Sequence, residues 1–167
     1  MENITKNERG SYEFSKDKVL GDKGEDMFIK FLESKGFKNI TKNTQAGLDK
    51  LKQWDIEAWM DGKMYSFEIK TDARAADTGN ICIEHCRYNL KDEKVLSGIS
   101  VTTADFFVSI IPDLGEIRII YTNVLKEVIE KDKDNLFSVK MGDGLRSRGY
   151  LMKINKYEKH YRAVHRI

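Results

Sequence analysis

Polarity alternates residue by residue along Trp54-Asp55-Ile56-Glu57-Ala58-Trp59-Met60, and again along Met64-Tyr65-Ser66-Phe67-Glu68-Ile69-Lys70. A period of two predicts strands, and the Asp61-Gly62 step between them predicts a two-residue hairpin loop. With Met60 paired to Lys63, the residues Ile56, Ala58, Tyr65, Phe67 and Ile69 share one face, the natural core face. Asp55, Glu57, Ser66, Glu68 and Lys70 share the other, and Asp55 falls opposite Glu68. Elsewhere the period is helical. Gly21 to Ser34 carries an apolar stripe of Phe28, Ile29, Phe31 and Leu32, and Gly36 stops it. A second helix runs from Thr122, read as its cap, to about Lys131, with Val124, Leu125, Val128 and Ile129 as its apolar face. Phe37 to Thr41, Asn80 to Arg87, Phe106 to Ile111, Glu116 to Tyr121 and Tyr150 to Ile154 read as strands, and Pro112 ends the third of these. Asn43 to Lys52, Asp72 to Gly79 and Tyr88 to Gly98 read as loops, and Thr102 to Asp105 as a short turn or helix. This order predicts an α/β fold, a central mixed β-sheet flanked by helices.

Composition adds bounds to that picture. The chain has 167 residues, 40% of them apolar, enough for one compact domain with its own core. No run approaches the roughly 18 apolar residues of a membrane span. Residues 1–18 are polar and lack the apolar core of a signal peptide, and they read as a flexible arm. Cys82 and Cys86 lie four apart within one predicted strand, poor geometry for a disulfide and too few soft ligands for zinc. Reduced cysteines fit a cytoplasmic protein. Net charge is +2, but it is uneven: from Arg146 onward there are seven Lys or Arg against the single acid Glu158, with tyrosines and histidines interleaved. A basic, aromatic segment suits a phosphate backbone, although a solvated tail has the same composition.

The polar face of the hairpin carries the chemistry. Like charges directly opposed across a sheet destabilise it, and a divalent cation between Asp55 and Glu68 removes that cost. Magnesium prefers carboxylate oxygens, takes one or two per ion, and leaves the remaining positions to water and substrate phosphate. Lys70 emerges from the same strand face as Glu68, with the Ile69 carbonyl between them. A lysine there can orient or deprotonate a water, or offset charge on a phosphate in transit. An acid, a loop and acid-x-lysine are thus a minimal kit for metal-assisted phosphodiester hydrolysis. Glu25, next to Gly24, is placed in the first turn of the first helix, where the helix dipole also favours a carboxylate. Taken singly, each of these features is commonly no more than a wet sheet face or a helix end.

Together, Gly21-x-x-Gly24-Glu25, Asp55 and Glu68-Ile69-Lys70 resemble the PD-(D/E)xK nuclease superfamily. Within it they are most similar to phage and archaeal Holliday-junction-resolving endonucleases. Trp54 stands where the family has a proline. The resemblance implies a restriction-endonuclease-like core and a nuclease domain over residues 19–155, with a basic tail over 156–167. It implies that Asp55, Glu68 and the Ile69 carbonyl bind Mg2+, for which Mn2+ can substitute. Glu25 would bind or orient a metal water, and Lys70 would assist the nucleophilic water. Asp49, Glu57, Glu84 and Gln53 are secondary candidates near the same site.

DNA contacts are expected from Arg74, just after the catalytic strand, and from Ser100 in the hydroxyl-rich segment Ser97 to Thr103. Arg146 and Arg148 beside Gly142-Asp143-Gly144, together with Lys153 and Lys156, complete the expected DNA-binding set. The leading expectation is a Mg2+-dependent DNA endonuclease acting on branched DNA as a homodimer, because two symmetric nicks need two sites. A phage-encoded member would act in the bacterial host cytoplasm. A general or restriction-type duplex nuclease has the same site chemistry. A non-catalytic nucleic-acid-binding module of the same fold has no need of the acids.

Overall fold

The computed structural model describes residues 6–43, 53–141 and 145–166, with side chains from residue 18 onward. Asp49 and the Gly142-Asp143-Gly144 loop lie outside the described residues. The hairpin forms as its pattern requires. Strand β2 (Ile56–Met60) pairs antiparallel with β3 (Lys63–Thr71), with Met60 opposite Lys63 and Ile56 opposite Phe67. Asp61 and Gly62 both take positive φ, 51° and 75°, the left-handed pair that a tight hairpin demands. Ile56, Ala58 and Phe67 are buried in one core cluster, and Tyr65 and Ile69 pack against it.

Helix α1 (Lys6–Ser34) covers that apolar face with Phe28 and Leu32. It begins fifteen residues earlier than the apolar stripe predicts, inside the segment read as a flexible arm. Glu25 therefore sits roughly five turns into the helix, not in its first turn, and the N-terminal dipole has no hold on it. Gly24 marks where the helix meets the sheet most closely. A Cβ there would lie 1.8 Å from Thr71 Oγ1, so only glycine allows this approach.

A six-stranded sheet orders as β1-β2-β3-β6-β7-β10. Strand β1 is Lys38–Lys42, β6 is Phe106–Ile111 and β7 is Glu116–Tyr121. Strand β6 runs parallel to β3, with Glu68 opposite Phe107 and Lys70 opposite Ser109, and the other neighbours are antiparallel. Strand β10 (Ala163–Arg166) closes the sheet against β7. The segment read as a basic tail is thus partly built into the central sheet, where His165 packs on the Phe31 ring of α1.

A second sheet of four strands, β5-β4-β9-β8, lies over the other face. It comprises β4 (Asn80–Tyr88), β5 (Lys94–Leu96), β8 (Phe137–Met141) and β9 (Ser147–Lys153). Strand β5 falls in the region read as a loop, and β8 is an addition to the expected strands, although Phe137, Val139 and Met141 alternate with polar residues. Short helix α2 (Ala75–Thr78) precedes β4, and α3 (Thr122–Asp132) follows β7. Thr122 is the first helical residue rather than the cap, and its buried hydroxyl has no partner. The expected turn over Thr102 to Asp105 is irregular chain, and a 3-10 turn lies just upstream at Gly98–Ser100. The second core joins Ile81, Ile83, Phe107, Ile111, Ile120, Leu125 and Met152 beneath α3 and α4 (Ile154–Tyr157). No helix among the described residues is long and apolar enough to cross a membrane.

Candidate active site

A cleft of about 460 Å³ opens between the two sheets. Asn43, Gln53, Trp54, Asp55, Glu68, Ile69 and Lys70 line one wall, and Glu84, Arg87 and Leu96 through Gly98 line the other. The hairpin ladder brings Asp55 here, but with one irregular step. Its N–H donates to the Phe67 carbonyl at 2.9 Å, where a regular antiparallel ladder would turn it away from β3, and the paired register ends at Ile56 opposite Phe67. Its carbonyl accepts from the Asn43 N–H at 2.7 Å, and its Oδ2 accepts from the Ile69 N–H at 2.7 Å. The carboxylate is therefore pinned to the edge of β3 between Glu68 and Lys70, with Oδ1 left over. In a strand the N–H and C=O of one residue leave by the same edge, so the Ile69 carbonyl points to the same side.

Glu68 is held by Thr102, whose buried hydroxyl lies 3.1 Å from Oε2 and 2.8 Å from the Gln53 carbonyl. Burial is the main force on both acids. It pushes Asp55 up to about 6, opposed by the Ile69 hydrogen bond and assisted by the charge of Glu25. It pushes Glu68 up to about 8, with the negative charges of Asp55 and Glu84 adding to burial and Thr102 opposing it. Two buried, mutually repelling carboxylates lack a compensating cation. Lys70 lines the same cleft and forms no hydrogen bond or ion pair among the described residues.

Of the remaining predicted site residues, Glu25 is near enough to act on Asp55, but it does not line the cleft. Its Oε2 meets Lys42 Nζ at 3.2 Å, and the same ammonium binds Asp26 at 2.7 Å. Glu84 lines the cleft, with Oε1 accepting from Ser97 Oγ at 2.6 Å. Gln53 joins the wall through its backbone bond to Thr102. Glu57 lies outside the cleft lining, where its Oε2 accepts from Trp54 Nε1 at 3.4 Å.

Three of the six expected DNA contacts are engaged within the protein. Arg146 reaches the carbonyls of Tyr88 and Asn89 and pairs with Asp92 at 2.8 Å, clamping the β4–β5 turn. Arg148 bonds the carbonyls of Leu145 and Ser147 and lies over the Tyr88 ring. Lys156 pairs with Asp132 at 2.5 Å. Arg74, Ser100 and Lys153 are exposed and do not line the cleft. The hydroxyls of Ser97 and Thr102 turn inward onto Glu84 and Glu68, so this segment braces the acids. Arg87 is the cation that the sequence reading missed. A lone arginine in a strand carries no local signal.

The donors offered to a metal are all oxygens: Asp55 Oδ1, one oxygen of Glu68 and the Ile69 carbonyl. No group of three or more His, Cys, Asp or Glu among the described residues is placed to hold an ion by itself. The oxygen donors at Asp55, Glu68 and Ile69 suit a hard cation that completes its shell with water and phosphate.

The two sheets, the first helix and the cleft between them define a mixed α/β fold. The fold is similar to the solved structure of a bacterial homing endonuclease, I-Ssp6803I, over 64% of this chain and 70% of that one, with a TM-score of 0.51 and 20% sequence identity. Neither a protein-family model nor a curated protein sequence matches the chain.

Proposed function

We propose that this protein is a magnesium-dependent DNA endonuclease. The carrying observation is the convergence of Asp55, Glu68 and an unpaired Lys70 on one cleft, with the Ile69 carbonyl between them. Hydrolysis joins a water oxygen to phosphorus and breaks one P–O ester bond, leaving a phosphate monoester and a hydroxyl. Asp55, Glu68 and the Ile69 carbonyl would hold the magnesium ion, and Glu25, near enough to act on Asp55, would help to orient its water from outside the cleft lining. When bound, the ion supplies an acidified water and offsets charge on the phosphate. Lys70 orients the attacking water or neutralises the charge that builds on the phosphoryl oxygens.

Branched DNA is the favoured substrate, cut by a homodimer, on the resemblance of the helix and hairpin motifs to junction resolvases. A second reading, a duplex endonuclease, is favoured by the shared fold with a homing endonuclease. Cleavage of a labelled four-way junction, beside matched linear duplex and single strand, separates them. The expected result is junction cutting that needs magnesium, stops in EDTA and is lost in Lys70→Ala. Equal cutting of linear duplex moves the substrate to the second reading. DNA binding without cutting in magnesium or manganese overturns the enzyme.

A further inference from the structure

The net positive charge of the sequence gathers from Arg146 onward, yet among the described residues the lysines and arginines that line the cleft are Lys70 and Arg87. Lys70 belongs to the catalytic group. Arg87 is exposed at the cleft, and its side chain forms no hydrogen bond or ion pair among the described residues. Its position depends on an irregularity in β4. Glu84 pairs with Gly149 and Arg87 with Ser147, with a register shift between Glu84 and Cys86. In a regular strand, residues three apart point to opposite faces. Here the extra residue restores parity, because the partners Gly149 and Ser147 are two apart and share a face. Bulges beside functional sites commonly re-aim a side chain in this way. The two side chains then stand roughly 7 Å apart along the wall facing Asp55 and Glu68.

We infer that Arg87 is a substrate-binding residue, holding a DNA backbone phosphate next to the one at the acids. This rests on the endonuclease reading. The guanidinium suits a phosphate through paired N–H donors, and the acid that lines the same wall, Glu84, is already held by Ser97. Strand β4 thus tracks the substrate while β3 acts on it.

The test is fluorescence anisotropy of a labelled four-way junction and a matched duplex, with calcium in place of magnesium, across a salt series. Arg87→Gln is expected to weaken binding roughly tenfold and to lower the slope of log affinity against log salt by about one. Arg87→Lys keeps the slope, and Lys131→Gln, which removes an equal charge from the exposed side of α3, changes neither. Arg87→Ala repeats the measurement with a different replacement, and circular dichroism confirms that each variant is folded. Wild-type affinity and slope in both Arg87→Gln and Arg87→Ala overturn the inference while leaving cleavage by the wild type intact. A wild type that neither binds nor cuts DNA overturns the endonuclease reading, and this inference with it.

Discussion

One face of the six-stranded sheet carries two ionisable clusters, and they are built on opposite principles. Lys70, Ser109 and Arg118 are aligned across β3, β6 and β7, linking the cleft to a second polar site. At the far end, Arg118 Nε and one terminal nitrogen both donate to Glu116 Oε2, at 2.9 and 2.7 Å, and the guanidinium lies over the Tyr161 ring. Glu158 stands 3.9 Å away, and burial pushes the Tyr161 hydroxyl up to about 12. Charges there are matched within the protein. At the cleft, two buried acids stand together, and the lysine side chain pairs with none of the described residues. Buried charge that is compensated belongs to the fold. Buried charge that is left open calls for a ligand.

The contrast can be broken most sharply at Lys70. Lys70→Ala is expected to slow single-turnover cleavage about 10²–10⁴-fold while leaving the unfolding midpoint in urea within error of wild type. If the loss of activity came with unfolding, Lys70 would belong to the compensated class.

Glu116→Gln is expected to destabilise the protein by about 3–5 kcal/mol, because it strips a buried guanidinium of its counter-charge. Urea unfolding measures it. The same substitution at the cleft should have the opposite sign. Glu68→Gln is expected to stabilise the metal-free protein at neutral pH by about 1 kcal/mol, because it removes a buried acid that is ionised in the unfolded chain and must take up a proton to fold, and to abolish cleavage. A destabilised Glu68→Gln would erase the difference between the two clusters.

A gentler measurement follows from the same imbalance. Glu68 keeps its proton in the folded protein to about 8, whereas the unfolded chain releases it near the ordinary value of 4.5. Between those values the folded state binds more protons, so stability in EDTA is expected to fall as pH rises and to level off above about 8. Glu68→Gln should flatten much of that slope, and magnesium should oppose it, both read from thermal melts across a pH series.

The part of this contrast that could be read from sequence is the part governed by short-range rules. The Asp61-Gly62 turn fixes the hairpin register, and register fixes which acids face the cleft. Strands β6 and β7 are legible because Phe106–Ile111 and Glu116–Tyr121 are bounded by proline, glycine and a helix start. The compensated cluster was invisible, because Tyr161 and Glu158 reach Arg118 only once the end of the chain folds back. Strand β8 does alternate, with Phe137, Val139 and Met141 separated by Ser138 and Lys140, so its pattern was legible although its Phe137 is exposed. The first helix extends through a polar segment whose helicity has no apolar stripe to announce it. Arg87 escaped notice because the bulge reverses the parity that counting residues would assign.

Thr102 has a property that its distances alone do not express. A hydroxyl owns a single hydrogen, while Thr102 Oγ1 stands between two acceptors, the Gln53 carbonyl and Glu68. When Glu68 is protonated, the acid donates to Thr102 and Thr102 donates to Gln53. When Glu68 ionises, the hydroxyl turns to the carboxylate, and Gln53 keeps only the Thr103 N–H at 3.2 Å. The residue is therefore a rotary relay that passes the charge state of the cleft to a peptide carbonyl. Infrared spectroscopy with 13C at Gln53 would see it as a vibrational frequency rising when the acid empties.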